Sequence, residues 1–214
     1  NIKVIPTKNG FDLEKFKDSF VGKAGLVTIN HFSNLDGSEN PIKDIIRIAH
    51  ENNYFVLIDA AQSAGHIPIN VKKLDVDFLA CSGHKMLGPS GTGILYGKEY
   101  LLNDLKTYNV GGETVVDSTY ETAKFENIPN KFEAGLQDYA GIIGLGESMK
   151  YLKKMDLEKV KEHEINLNVL LTEELSDLNT ISILGPNDAK LRNGIFSFNI
   201  NNINPHTISL LLDE

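Results

Sequence analysis

One βαβ unit limits what this chain of 214 residues can fold into. Leu26-Val27-Thr28-Ile29, within Gly25 to Asn30, is apolar and β-branched and reads as a buried strand. The turn Ser33-Asn34-Leu35-Asp36-Gly37 follows. Asn40 then stands as a candidate helix cap, with Pro41 at the first helical position, where its missing N–H costs nothing. Ile42, Ile45, Ile46 and Ala49 recur at helical spacing. Asn52-Asn53 closes the helix, and a second strand, Tyr54-Phe55-Val56-Leu57-Ile58, starts at once. Two strands joined in this way are predicted to lie parallel, with a right-handed crossover. In open parallel sheets, ligands bind beyond the carboxyl ends of the strands. Asn34 and Asp59 follow two such ends, and Lys85 follows a third, after Asp77-Phe78-Leu79-Ala80-Cys81.

Elsewhere the pattern is simpler. Residues 11–20 read as a short amphipathic helix with Leu13, Phe16 and Phe20 on one face, Thr92 to Gly97 as a strand, and Lys98 to Leu105 as a short helix. Residues 107–137 are rich in glycine, threonine and asparagine and read as a long loop, a length usually tied to function or mobility. Helices are predicted over Asp138 to Met155 and Leu157 to Leu178, with a break at Gly185-Pro186. Gly194 to Ile200 alternates like a strand, and Pro205 opens a last helix that runs through Leu212. The charge run from Lys153 to Glu164 reads as a solvated helix face. His163 between Glu162 and Glu164 is no metal site, because adjacent helical residues point in different directions.

Composition excludes several function classes. A net charge of −8 argues against a nucleic-acid-binding surface. No apolar run reaches the roughly 20 residues that span a bilayer, and Asn1 to Pro6 carries no signal-peptide pattern. The single cysteine, Cys81, excludes an internal disulfide and fits a reducing compartment, so a cytoplasmic location is expected.

The chemistry centres on Ser82-Gly83-His84-Lys85-Met86-Leu87-Gly88-Pro89-Ser90-Gly91-Thr92-Gly93. A lysine at the exit of a buried strand is poorly solvated, which lowers its pKa and makes it a good Schiff-base nucleophile. An aspartate at one strand end and a lysine at the next is what pyridoxal 5'-phosphate (PLP) needs: Asp59 to hold the pyridinium proton, Lys85 to bind covalently. The glycines at 88, 91 and 93 are not a Walker loop, since the Gly-Lys-Ser/Thr ending is missing. They fit a tight turn and close backbone approach. Cys81, on the strand before the lysine, reads as a small core residue. Taken alone, Asp59 also reads as a turn cap, Gln62 as a solvated turn residue, His84 as a structural histidine and Asn34 as a turn asparagine before Gly37.

His31-Phe32-Ser33-Asn34 with Gly37, Asp59-Ala60-Ala61-Gln62, Ser82-Gly83-His84-Lys85 with Gly88-Pro89, Leu95-Tyr96-Gly97, Gly111-Gly112 and Phe132-Glu133-Ala134-Gly135 follow one another in a distinctive order. In that order and spacing, over nearly its whole length, the chain resembles the PLP-dependent cysteine desulfurases and selenocysteine lyases. These belong to the aminotransferase class V group of fold-type I enzymes. The resemblance implies an α/β fold: residues 1–145 as a PLP-binding large domain with a mostly parallel sheet, incomplete at its N-terminus, and residues 146–214 as connecting helices and part of a smaller α+β C-terminal domain. It implies that Lys85 carries the cofactor and acts as catalytic base, Asp59 pairs with the ring nitrogen and Gln62 donates to the phenolate oxygen. It also implies that Ser82 and His84 hold the phosphate and that Asn34 faces the substrate carboxylate.

The implied reaction removes sulfur or selenium from L-cysteine or L-selenocysteine, giving L-alanine and a persulfide on an enzyme cysteine. A homodimer with residues 107–137 at its subunit boundary, a sulfur-acceptor protein and a place in iron–sulfur cluster assembly are implied with it. Two departures stand out: Lys131 replaces the family's arginine, and Leu136 replaces a threonine that reaches the neighbouring subunit's phosphate. The family's phosphate-binding threonine and ring-stacking histidine would precede residue 1. Its catalytic cysteine and carboxylate-binding arginine would follow residue 214, so a fragment is expected. Other class V aminotransferase or lyase chemistry is one alternative. The other is a catalytically incomplete relative that acts as a binding partner in iron–sulfur assembly.

Overall fold

Phe16 sits at the centre of an aromatic cluster at the start of the fold. The computed structural model describes residues 2–5 and 10–213; the sequence readings at Asn1, Pro6 and Glu214 lie outside them. Helix α1 (Leu13–Lys17) is capped by Asp12, whose carboxylate accepts from the N–H groups of Glu14 and Lys15. It is half the expected length. Phe11 and Phe20 still reach Phe16 from outside the helix, with ring centroids 5.4 and 4.9 Å away, so the apolar pattern is satisfied without further helical turns.

The predicted βαβ unit is present: β1 (Gly25–Asn30), α2 (Ile42–Glu51) and β2 (Tyr54–Asp59), with β1 and β2 parallel from Gly25↔Tyr54 to Asn30↔Asp59. Ile42, Ile45, Ile46, Ile48 and Ala49 bury one stripe of α2. Each buried isoleucine contributes roughly 1.5–3 kcal/mol of transfer free energy. After the short α3 (Val71–Leu74), β3 (Phe78–Ser82) adds in parallel to β2, and β4 (Gly93–Gly97) closes the β1-β2-β3-β4 order antiparallel to β3. The chain is therefore α/β with a mostly parallel sheet, as expected.

The strands are less buried than their composition predicts. Val56, Ile58 and Leu79 point into the core with α1 and α2, while Leu26, Phe55 and Leu95 remain exposed on the other face. Parallel sheets are ordinarily covered on both faces, and the described residues cover one. The apolar character of the open face made the strands read as buried.

Beyond α4 (Glu99–Asp104), the region read as a loop contains a hairpin, β5 (Val115–Ser118) paired with β6 (Ala123–Phe125). Its strands are short, mostly exposed and bulged between Val115 and Asp117, which erases the alternation that would have revealed them. Helices α5 (Tyr139–Lys154) and α6 (Leu157–Leu175) follow close to prediction, capped by Asp138 and Asp156. β7 (Ile181–Leu184), not anticipated, pairs antiparallel with β8 (Ser197–Ile200). The final helix α7 (Pro205–Leu212) has Pro205 in its first turn and Asn204 as its cap.

Candidate functional site

The sheet register brings Asp59 and Ser82 to one face. Asp59 lies opposite Ala80, and side chains two residues apart on a strand share a face, so Ser82 rises on the same side about 7 Å further along. Asp59 Oδ1 accepts a hydrogen bond from the Ala61 N–H at 2.9 Å, which fixes the carboxylate at the mouth of the following turn. Gln62 is half-buried in that turn. The fully buried Ser63 anchors it: its Oγ is 3.0 Å from His31 Nδ1, and the His31 N–H donates to the Asp59 carbonyl at 2.8 Å. Glu39 lies 3.6 Å from His31 Nε2. The nearby His31 imidazole lowers the Glu39 carboxyl pKa, despite the opposing effect of burial.

The lysine turn is equally well defined. β3 runs into a 3-10 turn, Gly83–Met86, closed by Leu87 in the left-handed region. The Gly83 N–H donates to Thr92 O at 2.8 Å, and the Gly88 N–H to Gly83 O at 2.9 Å. A Cβ on residue 83 would stand 2.0 Å from Thr92 Oγ1, so only glycine allows this closure. Met86 is buried in the core, which leaves Lys85 half-buried and His84 exposed. Every buried side-chain nitrogen or oxygen among the described residues has a hydrogen-bond partner. The amine of Lys85, the amide of Gln62, the hydroxyl of Ser82 and the imidazole of His84 make no hydrogen bond to another described residue and are open to a ligand. An amine, an acceptor-only carboxylate and three neutral or cationic donors form a set that suits an aldehyde, a protonated ring nitrogen, a phenolate and a phosphate. The residues present thus fit PLP.

Asn34 lies in the turn after β1. It is exposed and lines a cleft of about 1100 Å³ together with Asn187 and Lys190. Asp59 lines a second cleft, of about 890 Å³; Asn30 and Asn40 line both, and Lys85 lines neither. Asn40 does not cap α2. Its Nδ2 donates to Asn30 O at 2.8 Å and Asn30 Oδ1 at 3.1 Å, and Pro41 takes the cap position without a side-chain hydrogen bond.

The charge run on α6 is not simply solvated. Glu164 Oε1 pairs with His66 Nδ1 at 2.6 Å, and Lys161 Nζ approaches Glu39 at 3.9 Å. His66 sits 98 residues from its partner, a separation no local pattern can reveal. The hydrogen bond that His66 donates to Glu164 raises the His66 pKa against the opposing effect of burial. Among the described residues no group of three or more His, Cys, Asp or Glu side chains is placed to hold a metal ion. Cys81 packs against the core, and burial pushes its thiol pKa up. Lys131 is buried; its Nζ donates to Asn103 O at 2.9 Å and Leu105 O at 3.0 Å. Leu136 is 86% exposed, with no polar atom to offer a ligand. No helix among the described residues is long and apolar enough to cross a membrane.

Comparison with known proteins gives the family and the fold. The family model described as aminotransferase class-V matches residues 1–214, and the chain belongs to that family. It is 37% identical over 201 residues to a probable cysteine desulfurase of Halalkalibacterium halodurans, covering 94% of this chain and 49% of that protein. It is 37% identical over 217 residues to a probable cysteine desulfurase of Methanothermobacter thermautotrophicus, covering 100% and 54%. The crystal structure of the cysteine desulfurase CsdA from Escherichia coli superposes with a TM-score of 0.90 at 27% identity, covering 98% of this chain and 51% of that one. The fold-type I architecture is thereby shared. The chain spans about half the length of the curated relatives it matches.

Proposed function

We propose that this chain supplies the PLP-holding part of a cysteine desulfurase that takes sulfur from L-cysteine, or selenium from L-selenocysteine, and leaves L-alanine. The observation that carries the reading is the placement of Asp59, Ser82 and Lys85 at adjacent strand ends, with Asp59 and Ser82 on one face. The cofactor, when bound, supplies an electron sink for the charge left by a departing proton. Lys85 Nζ is its covalent attachment point. With its amine free, Lys85 Nζ would take the proton from the substrate's α-carbon as general base. The Asp59 carboxylate would accept from the ring N–H, Gln62 would donate to the phenolate oxygen, and Ser82 and His84 would donate to the phosphate. Asn34 orients the substrate carboxylate.

The sulfur passes to a cysteine thiolate other than Cys81, whose buried thiol resists ionisation. Sulfur-acceptor transfer and a role in iron–sulfur cluster assembly belong to the same proposal. So do the division at residue 145 and a cytoplasmic location, the latter supported by the lone reduced Cys81. A homodimer belongs to the same proposal.

Incubation of the full chain with PLP, L-cysteine and an added thiol as sulfur acceptor, followed by amino-acid analysis and persulfide labelling, tests the reading. The expected products are alanine and a persulfide on the added thiol, both lost in Lys85→Ala. Transfer of the amino group to a 2-oxo acid without release of sulfur would reject it in favour of a class V aminotransferase.

A further inference from the structure

We propose that His66 is a positioning residue for Lys85: braced by Glu164 of α6, it supports the main chain of the lysine turn from behind and couples that turn to the helix leading into β7 and β8. Its neighbour Gly65 touches that turn, and two bonds fix His66 beside it. The loop carrying His66 packs on the lysine turn so closely that a Cβ at Gly65 would stand 3.2 Å from Met86 Cα and 3.4 Å from Lys85 O. The His66 N–H is itself fixed, donating to Ser63 O at 3.1 Å in the turn that also carries Gln62. On its other side, Glu164 holds the imidazole at 2.6 Å, and both side chains are largely out of solvent, 35% and 22% exposed. Glu164 has room because residue 194 is glycine; a Cβ there would stand 2.9 Å from Glu164 Cδ. One helical turn back, Lys161 approaches Glu39, so a single face of α6 reaches both the His66 loop and the segment that follows Asn34. A pair so out of solvent is worth more than a surface ion pair.

The pair is also titratable. The charged groups that act on His66 are Glu164 on α6, which favours the imidazolium, and Lys85 on the turn, which opposes it; the Lys85 main-chain carbonyl favours it. The net effect is a raised pKa. A raised histidine pKa means that the contact contributes fully below the free value of about 6.5 and is lost as pH rises through the folded value. Each unit of elevation corresponds to about a tenfold change in the population of the held state.

The importance of holding Lys85 rests on its role as attachment residue, but the test needs no cofactor and so fails or succeeds independently of that role. Hydrogen exchange of the Gly83 and Gly88 amides is measured from pH 5 to 9 in the full chain, corrected for intrinsic exchange, with the β2 amides as reference. Wild type is expected to lose protection at these two amides as pH rises above about 6.5, while β2 holds. His66→Gln is expected to show low protection and no step, and His66→Lys, which keeps a cation for Glu164, high protection and no step. A step that survives in His66→Gln, a His66→Lys protein as unprotected as His66→Gln, or β2 amides falling in parallel would each overturn the proposal.

Discussion

Asp59 and Ala80 face each other across β2 and β3, and this pairing places Ser82 on the same side of the sheet as the Asp59 carboxylate. The relationship follows from strand geometry alone and requires a parallel register with no bulge between the two strands. In the proposed site Asp59 is the anion beside the ring nitrogen. Asp59→Asn keeps an oxygen to accept from the Ala61 N–H, so the turn is expected to survive. The charge-assisted bond to the ring is lost, at about 1.5–3 kcal/mol. The account predicts PLP affinity weaker by roughly 10- to 100-fold by spectroscopic titration, with thermal stability nearly unchanged. Unaltered affinity would remove Asp59 from the site.

At the opposite end of the sheet, Asp77 is a stability residue. It is 1% exposed and accepts from Val56 N at 2.8 Å, His50 Nε2 at 2.7 Å and Lys98 Nζ at 2.9 Å. Burial opposes its ionisation, but the bonds from Lys98, His50 and Val56 outweigh this and hold its pKa below the ordinary value. A depressed carboxylate pKa contributes stability above the free value of about 3.9 that disappears as pH falls through the folded value. Asp77→Ala is expected to cost about 3–5 kcal/mol near neutral pH, because it strands buried partners. Denaturant unfolding should show the gap from wild type narrowing below pH 4, the region of the free carboxylate pKa. A gap that widens in acid would contradict this assignment.

Lys131 takes the place of the family's arginine and ties the end of α4 to the turn before Phe132. Lys131→Met keeps the buried stem and removes both charged hydrogen bonds. A loss on the order of 1.5–3 kcal/mol is expected from chemical denaturation. A neutral effect would mean the two carbonyls find other partners.

Cys81 is predicted to be chemically quiet. Its thiol is partly buried against the core and its pKa is raised. Iodoacetamide should modify it slowly in the folded chain and quickly in denaturant, and Cys81→Ala should leave PLP attachment at Lys85 intact. Fast alkylation of the native protein would show a thiolate that the structure does not support.

Much of this fold was legible because it is written at short range. α2 announces itself through Ile42, Ile45, Ile46 and Ala49, all buried as their spacing requires. The lysine turn is legible through glycines whose space is needed, Gly83 above all. What was not legible depends on distant partners. Asn40 has the chemistry of a helix cap, but Asn30 competes for its amide across the turn. Glu164 and Lys161 look like solvent charges until the fold brings His66 and Glu39 to them. The β5–β6 hairpin escaped because exposed strands need no alternating apolar face. Asn34 was read together with Asp59 and Lys85 from their shared position after strand ends, and the cleft that Asn34 lines shares Asn30 and Asn40 with the one that Asp59 lines.

The central claim is that Lys85 is the residue that binds PLP. Borohydride reduction of the full chain after incubation with PLP, followed by peptide mass mapping, tests it most directly. The account predicts a pyridoxyl group on Lys85 and its loss in Lys85→Ala. A stable adduct on any other lysine, or none on Lys85, would contradict it.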